Sequence, residues 1–492
     1  MDRRNRRRLL NEIRFHSRYT VRNSKRAKRY AKRSSEKMIR AFSRFSLNGS
    51  GLNTDRSQNS ERAENLRTPE YRGHPHKLKT VLGGTIGNVM EWYDFALYGF
   101  FAPVLAQLFF PSGNKTASLI ATFGVFAVGF VMRPIGGIIF GWIGDRFGRS
   151  AVLRISVIIM GAATFLLGVL PTAGAIGIWA AVLLLGVRLV QGLSVGGEFS
   201  GSVTYVVETS PLHRRGFSGS WANFGGLVGT LAGSGLAAFM ASVLPSSDLQ
   251  SWGWRVPFLL GGVFAVLAYL YIRRLKDVPH MVHHEAQHQQ DSPLHKALVQ
   301  NRRETLLAIV FASGYGICYY ILLVYLPTYV HVVGTISDGT ALLINSLGLA
   351  LAIPFIPLFG WISDHFIRRR SLLLITFLLV AVLGWNLFYL SSGSLTGLVV
   401  SQIIFALIMA VPMGVAPAMF VELFPKEDRL TGYSVAFNIG LGIAGGTAPM
   451  IATWLISATG YDTAPGAYLV FAALISAAAL WFMQDRSREP LR

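Results

Sequence analysis

Charge is scarce in this 492-residue chain. Only 14% of its residues are Asp, Glu, Lys or Arg, where a soluble globular chain carries about 25%. Cysteine is scarcer still: Cys318 stands alone, which excludes an intramolecular disulfide and any cysteine-built zinc site. Long alternations of apolar and polar residues are missing, and with them the signal of barrel strands. The N-terminal region has no apolar core, so no cleavable secretory pattern is visible there. Acidic side chains are few, 25 against 46 Lys and Arg. That imbalance is local, because residues 1–80 hold 23 of the basic residues and 7 of the acidic ones. The excess positive charge describes a tail and not the body, which argues against nucleic-acid binding.

What the chain has in abundance is apolar sequence: 52% of residues are hydrophobic and the mean hydropathy is +0.43. From Leu78 onward, stretches of the roughly 20 residues that cross a bilayer follow one another almost without pause. Twelve helical spans are expected, at roughly 81–110, 117–143, 152–171, 176–206, 217–244, 256–272, 305–332, 339–362, 371–390, 396–423, 431–458 and 465–484. The fold class is all-α integral membrane. With both termini in the cytoplasm, the loops on that side collect sixteen Lys and Arg, and the other side receives only Lys115 and Arg255. That is the asymmetry of the positive-inside rule.

A polar loop divides the spans six and six. The chain reads as a basic, disordered cytoplasmic tail (1–77), a first six-helix half (78–272), a cytoplasmic linker (273–304), a second half (305–484) and a short cytoplasmic end (485–492). The tail has other readings. Met38, Ile39, Phe42 and Phe45 could lie on anionic lipid, and the composition also suits a transit peptide. In the linker, His280, His283, His284 and His288 have a helical metal-ligand spacing. No cysteine or second cluster supports them, so a polar linker is expected, with no metal and no cofactor.

Each half repeats two loops. Gly141-Trp-Ile-Gly-Asp145-Arg-Phe-Gly148-Arg149 follows span 2, and Gly360-Trp-Ile-Ser-Asp364-His-Phe-Ile367-Arg368-Arg369 follows span 8. Glu208-x-x-Pro211-x-x-x-Arg215 follows span 4, and Glu422-x-x-Pro425-x-x-x-Arg429 follows span 10. Offsets of 219 and 214 residues imply a duplicated six-helix unit, the architecture of secondary transporters. Asp145, Arg149, Glu208 and Arg215, with Asp364, Arg369, Glu422 and Arg429, sit at cytoplasmic helix ends. Opposite charges there can hold that side shut and part as the halves rock. Solvated loop charges are the plainer reading, and two copies in register favour a gate.

Five charges fall inside spans, each costing about 2.5–3.5 kcal/mol at the bilayer centre: Glu91, Asp94, Arg133, Arg188 and Glu198. All five lie in the first half. Glu91 and Asp94 share a helical face with Tyr98; Arg188, Gln191 and Glu198 fall within one arc. Two readings stay open. The charges are buried ion pairs that lock helices together, or a titratable carboxylate stands beside a cationic anchor for a substrate carboxylate. In the second reading Asp94 leads as proton carrier, before Glu91 and Glu198, and Asn438 of span 11 joins the lining. On span 7, Tyr315 and Tyr319 share a face suited to a quaternary ammonium group, although interfacial tyrosines are common in membrane proteins. Gly225, Gly229 and Gly233 on span 5 permit close helix packing.

The repeated G-x-x-x-D-x-x-G-R loop resembles the signature of the major facilitator superfamily. Four further motifs are similar to its metabolite:proton symporters, a branch that includes proline/betaine, 2-oxoglutarate, citrate and shikimate carriers. They are Gly87-Asn88-x-x-Glu91-Trp-Tyr-Asp94-Phe, Arg133-Pro-Ile-Gly-Gly137, Arg188-x-x-Gln191-Gly-x-Ser-x-Gly-Gly-Glu198 and Trp252-Gly-Trp-Arg255-x-Pro257-Phe. The resemblance covers about residues 78–484. It implies two pseudo-symmetric halves, alternating access, and proton-coupled uptake of a small carboxylate-bearing metabolite or zwitterion by a monomer in the cytoplasmic membrane. Residues 1–77 have no counterpart in that pattern, and Ile367 stands where the second loop would carry glycine. The order Tyr-Tyr-x-Leu-Leu-x-Tyr-x-Pro-x-Tyr from Tyr319 is similar to the proline/betaine branch and points to a zwitterion; an organic acid is the alternative. A membrane-embedded enzyme or a channel would be a different class. The spans hold no nucleophile–base pair, and a channel needs no duplicated gate.

Overall fold

Continuous apolar sequence in a bilayer leaves backbone N–H and C=O groups without water, and a helix satisfies them within one segment. The computed structural model describes residues 76–147, 149–195, 198–272, 301–333, 336–426 and 428–491. Among these residues every regular element is helical. The first half comprises span 1 (His76–Phe100, continued by Ala102–Phe109), span 2 (Lys115–Val131 and Arg133–Phe147), span 3 (Arg149–Val169), span 4 (Trp179–Ser194 and Glu198–Glu208), span 5 (Arg215–Val243) and span 6 (Arg255–Ile272). The second comprises span 7 (Arg302–Tyr320 to Leu326–Val333), span 8 (Asp338–His365), span 9 (Arg369–Gly393), span 10 (Leu395–Leu423), span 11 (Arg429–Ala436 to Gly446–Thr459) and span 12 (Ala464–Phe482). Among the described residues nine stretches are long and apolar enough to cross a membrane, and the bent pair Ser246–Gly253 with Arg255–Leu270 makes a tenth. Spans 1 and 3, helices of 25 and 21 residues, complete the set. Residues 1–75 and 273–300, with the tail's apolar positions and the linker histidines, lie outside the described residues.

Prolines decide where these helices deform. Span 2 is interrupted at Met132, just before Arg133 and Pro134. Spans 7 and 11 each contain a π segment, Ile321–Tyr325 and Phe437–Gly445. A proline four residues beyond a carbonyl cannot donate to it, and the wider π turn absorbs the mismatch. Pro327 stands four residues after Leu323, and Pro449 four after Gly445.

Small residues set which helices touch. A Cβ on Gly229 of span 5 would lie 2.2 Å from the Val89 carbonyl oxygen of span 1. Gly216 and Gly360 bring spans 5 and 8 equally close: a Cβ on Gly216 would meet the Gly360 carbonyl oxygen at 2.5 Å. Span 5 is thus a rod common to both halves, lying against spans 1, 8 and 10. Spans 3, 6, 9 and 12 present Leu166, Val266, Leu267, Val382 and Phe471 outward, a surface suited to lipid. Exposed aromatics mark both ends, Trp179, Trp252, Tyr389 and Tyr461 at one and Trp221, Trp361 and Phe366 at the other. These are the interfacial girdles of a membrane protein. The second group shares its end with Arg214, Arg215 and Arg368–Arg370, hereafter the basic face.

Candidate functional site

Span 1 supplies two carboxylates three residues apart, and each meets a different arginine. Glu91 Oε1 lies 2.9 Å from Arg133 Nη2 on span 2. Asp94 Oδ2 lies 3.1 Å from Arg188 Nη1 on span 4. All four side chains are buried, but their support differs. Asp94 Oδ1 also accepts hydrogen bonds from Thr164 Oγ1 and Gln191 Nε2, both at 2.8 Å. The Glu91–Arg133 contact is close but poorly directed, and Glu91 Oε1 has no hydrogen-bond partner.

Aromatic rings surround both guanidinium groups. Phe95 lies between them, 4.7 Å from Arg133 Cζ and 5.6 Å from Arg188 Cζ. Tyr98 faces Arg188 at 3.9 Å and Phe130 faces Arg133 at 4.5 Å. Ring faces attract cations most strongly where water is excluded. Arg133 Nε, Arg188 Nε and Nη2, and Gln191 Oε1 have no hydrogen-bond partner. The guanidinium nitrogens among them are buried donors that a substrate carboxylate can satisfy, whereas the Gln191 amide oxygen is an acceptor.

The second half contributes neutral groups. Tyr319 and Tyr320 meet Trp92 of span 1 with ring centroids 5.2 and 6.4 Å away, and Tyr320 also meets Phe130 at 5.3 Å. The hydroxyl of Tyr320 and the indole N–H of Trp92 are unpartnered. Tyr319 touches Thr230 of span 5 at 3.3 Å. Tyr315 and Tyr319 lie four residues apart on the helix Arg302–Tyr320 and meet different neighbours: Tyr315 packs on Phe311 and Phe377, inside the second half. Asn438 is buried beside Phe437, whose ring stacks on Phe199 of span 4 at 4.6 Å. The side chain of Glu198 lies outside the described residues. Thr164 has no sequence signal, and Trp92, Phe95 and Tyr320 have one only as members of the Gly87–Phe95 and Tyr319–Tyr329 motifs. Nearer the opposite face, Asn345 donates to Ser234 at 3.2 Å and Gln402 donates to Asn345 at 3.0 Å, joining spans 5, 8 and 10.

At the basic face the repeated loops meet across the halves. Asp364 Oδ1 accepts from Arg369 Nη2 at 2.7 Å and from the Gly216 N–H at 2.8 Å, and Oδ2 accepts from the Phe217 N–H at 2.9 Å. A carboxylate of one half thereby caps the first turn of span 5 in the other, where the helix dipole favours negative charge. Arg369 lies 3.3 Å from Glu422, and Glu422 lies 3.7 Å from Arg215. Glu208 pairs with Arg429 at 2.6 Å. The side chains of Asp145 and Arg149 lie outside the described residues.

Duplicated loops that interlock across two halves, with charges buried in one of them, define a secondary transporter. The profile of the Major Facilitator Superfamily matches residues 84–366 and 334–492, and the chain belongs to that family. It is 33% identical over 428 residues to the proline/betaine transporter of Escherichia coli strain K12, covering 84% of this chain and 85% of that protein. It is 34% identical over 427 residues to the glycine betaine/proline/ectoine/pipecolic acid transporter OusA of Dickeya dadantii, covering 84% of each. A partially occluded, inward-open structure of the E. coli xylose transporter XylE superimposes with a TM-score of 0.67 at 19% identity, covering 85% of this chain and all of that one. At that identity the likeness speaks for the fold alone.

Proposed function

We propose that this protein is a proton-coupled uptake carrier for small zwitterions of the proline and glycine betaine kind. It would work by alternating access between residues 78–272 and 305–484. One observation carries the reading: of two buried arginine–carboxylate pairs on spans 1, 2 and 4, Glu91–Arg133 lies beside Tyr320 across the Phe130 ring, and Tyr320 belongs with Trp92 and Tyr319 to an aromatic group drawn from both halves. An arginine anchors a carboxylate, and aromatic faces stabilise a desolvated cationic nitrogen by about 0.5–2 kcal/mol. The similar proteins, a proline/betaine transporter and a glycine betaine/proline/ectoine/pipecolic acid transporter, support the same substrate class. An organic acid would use the arginines equally well but has no use for the aromatic group.

Geometry favours Glu91 over Asp94 as the proton carrier. Asp94 has three side-chain donors, whereas Glu91 depends on Arg133 alone. A substrate carboxylate arriving at Arg133 weakens that hold and favours protonation of Glu91. Binding and protonation then strengthen each other by reciprocity. The gate charges are conformational parts and not substrate ligands. The basic face is cytoplasmic, both termini lie on that side, and the protein is a monomer in the cytoplasmic membrane. Radiolabel uptake into proteoliposomes tests the reading, across proline, glycine betaine, 2-oxoglutarate, citrate and shikimate with an imposed proton gradient. Gradient-driven accumulation of the zwitterions is expected. Accumulation of the acids alone selects the organic-acid reading, and uptake that only equilibrates under every gradient overturns coupling.

A further inference from the structure

Beyond span 12 the chain does not leave the protein. Met483 and Ser487 are buried, and residues 483–489 run across the ends of spans 9 and 10 toward span 5. The Met483 carbonyl accepts from Arg370 Nη1 at 3.1 Å. Asp485 Oδ2 accepts from the Arg370 N–H at 2.9 Å, capping span 9, while its Oδ1 accepts from the Ser487 N–H at 3.0 Å. Arg486 Nη1 donates to the Leu423 carbonyl at the end of span 10, at 3.2 Å. Two further carbonyls reach the gate itself: Ser487 O accepts from Arg369 Nη1 at 3.4 Å and Glu489 O from Arg215 Nη1 at 3.0 Å.

These contacts divide unequally between the halves. Arg369, Arg370 and Leu423 belong to the second half, to which the segment is covalently joined, whereas Arg215 opens span 5 of the first. Opening toward the cytoplasm would leave the former contacts intact and break the Arg215–Glu489 bond together with Arg215–Glu422. We infer that residues 483–489 are a strap, tied to spans 9 and 10 and latched to Arg215, that biases the carrier toward its cytoplasm-closed state. Peptide carbonyls suit this role. They supplement the carboxylates there, since Glu422 is shared between Arg369 at 3.3 Å and Arg215 at 3.7 Å and Asp364 binds only Arg369 of the two, and they add no charge that would have to be desolvated at each closure.

The strap rests on the alternating-access reading, and its test needs no substrate, so failure of the substrate assignment leaves it readable. Ser434 of span 11 touches Ser200 of span 4 where the halves meet, and the native Cys318 is buried. In a Ser434→Cys background, maleimide labelling in inside-out vesicles reports opening. Deleting residues 488–492 removes the latch and keeps the Asp485–Ser487 anchor; labelling should accelerate about tenfold, the effect of losing a hydrogen bond to a charged group. Asp485→Ala in the full-length chain unties the strap from span 9 and should act in the same direction, which decides the matter if the shortened protein fails to insert. Labelling rates equal to the parent in the inserted variants overturn the strap.

Discussion

The two halves place their charges differently. In the first, Glu91, Asp94, Arg133 and Arg188 lie in the middle of spans. In the second, among the described residues, Asp364, Arg369, Glu422 and Arg429 lie at helix ends, the middle holds Tyr319 and Tyr320, and Asn345 and Gln402 lie nearer the opposite face. The pairs differ in a second way. Both central pairs join spans of the same half and travel with it, while Glu208–Arg429 and Arg215–Glu422 straddle the halves. Breaking a buried pair by removing one partner costs about 3–5 kcal/mol, too much to spend in every cycle. Pairs within one half escape that cost; of the straddling pairs, Glu208 is already exposed to water, and Arg215 and Glu422, buried when closed, would both gain water on opening. Duplication thus kept the gate and let the centres diverge, one toward charge, the other toward aromatic groups.

Removing a central arginine should strike hardest. Arg188→Ala strands Asp94 in the first half and should lower stability by about 3–5 kcal/mol, read as a reduced melting temperature in detergent, and abolish uptake. A variant as stable as the parent would remove the argument that the central pairs hold that half together. Glu91→Gln should separate coupling from structure. Accumulation driven by a pH gradient should disappear, exchange at equal pH should stay within about threefold of the parent, and melting should fall less than in Arg188→Ala, since the amide oxygen of the new side chain stays as an acceptor beside Arg133. Loss of exchange as well would return the proton to Asp94 or Glu198.

On the second-half side the expected effect is smaller. Tyr320→Leu should weaken glycine betaine binding by about three- to tenfold, a cation–π contribution, and leave citrate unaffected; equal loss for both makes the wall merely apolar. Smallest of all is the pH response of the strap. Burial pushes the Asp485 carboxyl up, but hydrogen bonds from Ser487 and the Arg370 N–H and the charge of Arg369 outweigh it and hold it below the usual carboxylate range. A depressed folded-state pKa contributes stability above the unfolded value and loses it as pH falls through the folded one. The labelling rate of the parent divided by that of Asp485→Ala at each pH, a ratio that cancels the ionisation of the thiol itself, should therefore be flat from about pH 8 to 5 and rise only below about pH 4. A rise near neutrality would point to another group.

Much of this architecture was legible in residue order. Apolar run lengths located the spans, and the repeated loops pointed to charges that meet at the basic face, Glu208 with Arg429 and Arg215 with Glu422. The charge pairs were legible as residues but not as partners, because periodicity fixes a face and not the neighbour it meets. Residue order ranks Asp94 before Glu91 as proton site, and the hydrogen bonds from Thr164 and Gln191 to Asp94, which favour Glu91 in the proposal, have no trace in it. Tyr315 and Tyr319 share a helical face in sequence, yet one packs on Phe377 and the other on Trp92. The π segments had a trace in Pro327 and Pro449 but no unique signature. The strap had none, since it holds the gate arginines with carbonyl oxygens that every residue possesses.

Phe95 offers a last consequence. Its ring lies against Phe130 at 4.6 Å and between the two guanidinium groups, so the arginines share one neutral neighbour. Nothing on that ring titrates, donates or accepts a proton in water. An aliphatic replacement such as Phe95→Leu would keep size and hydrophobicity and still withdraw the electron-rich face from both cations at once. Its phenotype would resemble a charge mutation at a position that any hydropathy scale assigns to packing. In a variant library of this carrier, a substitution there would be filed as conservative and behave as a double mutant.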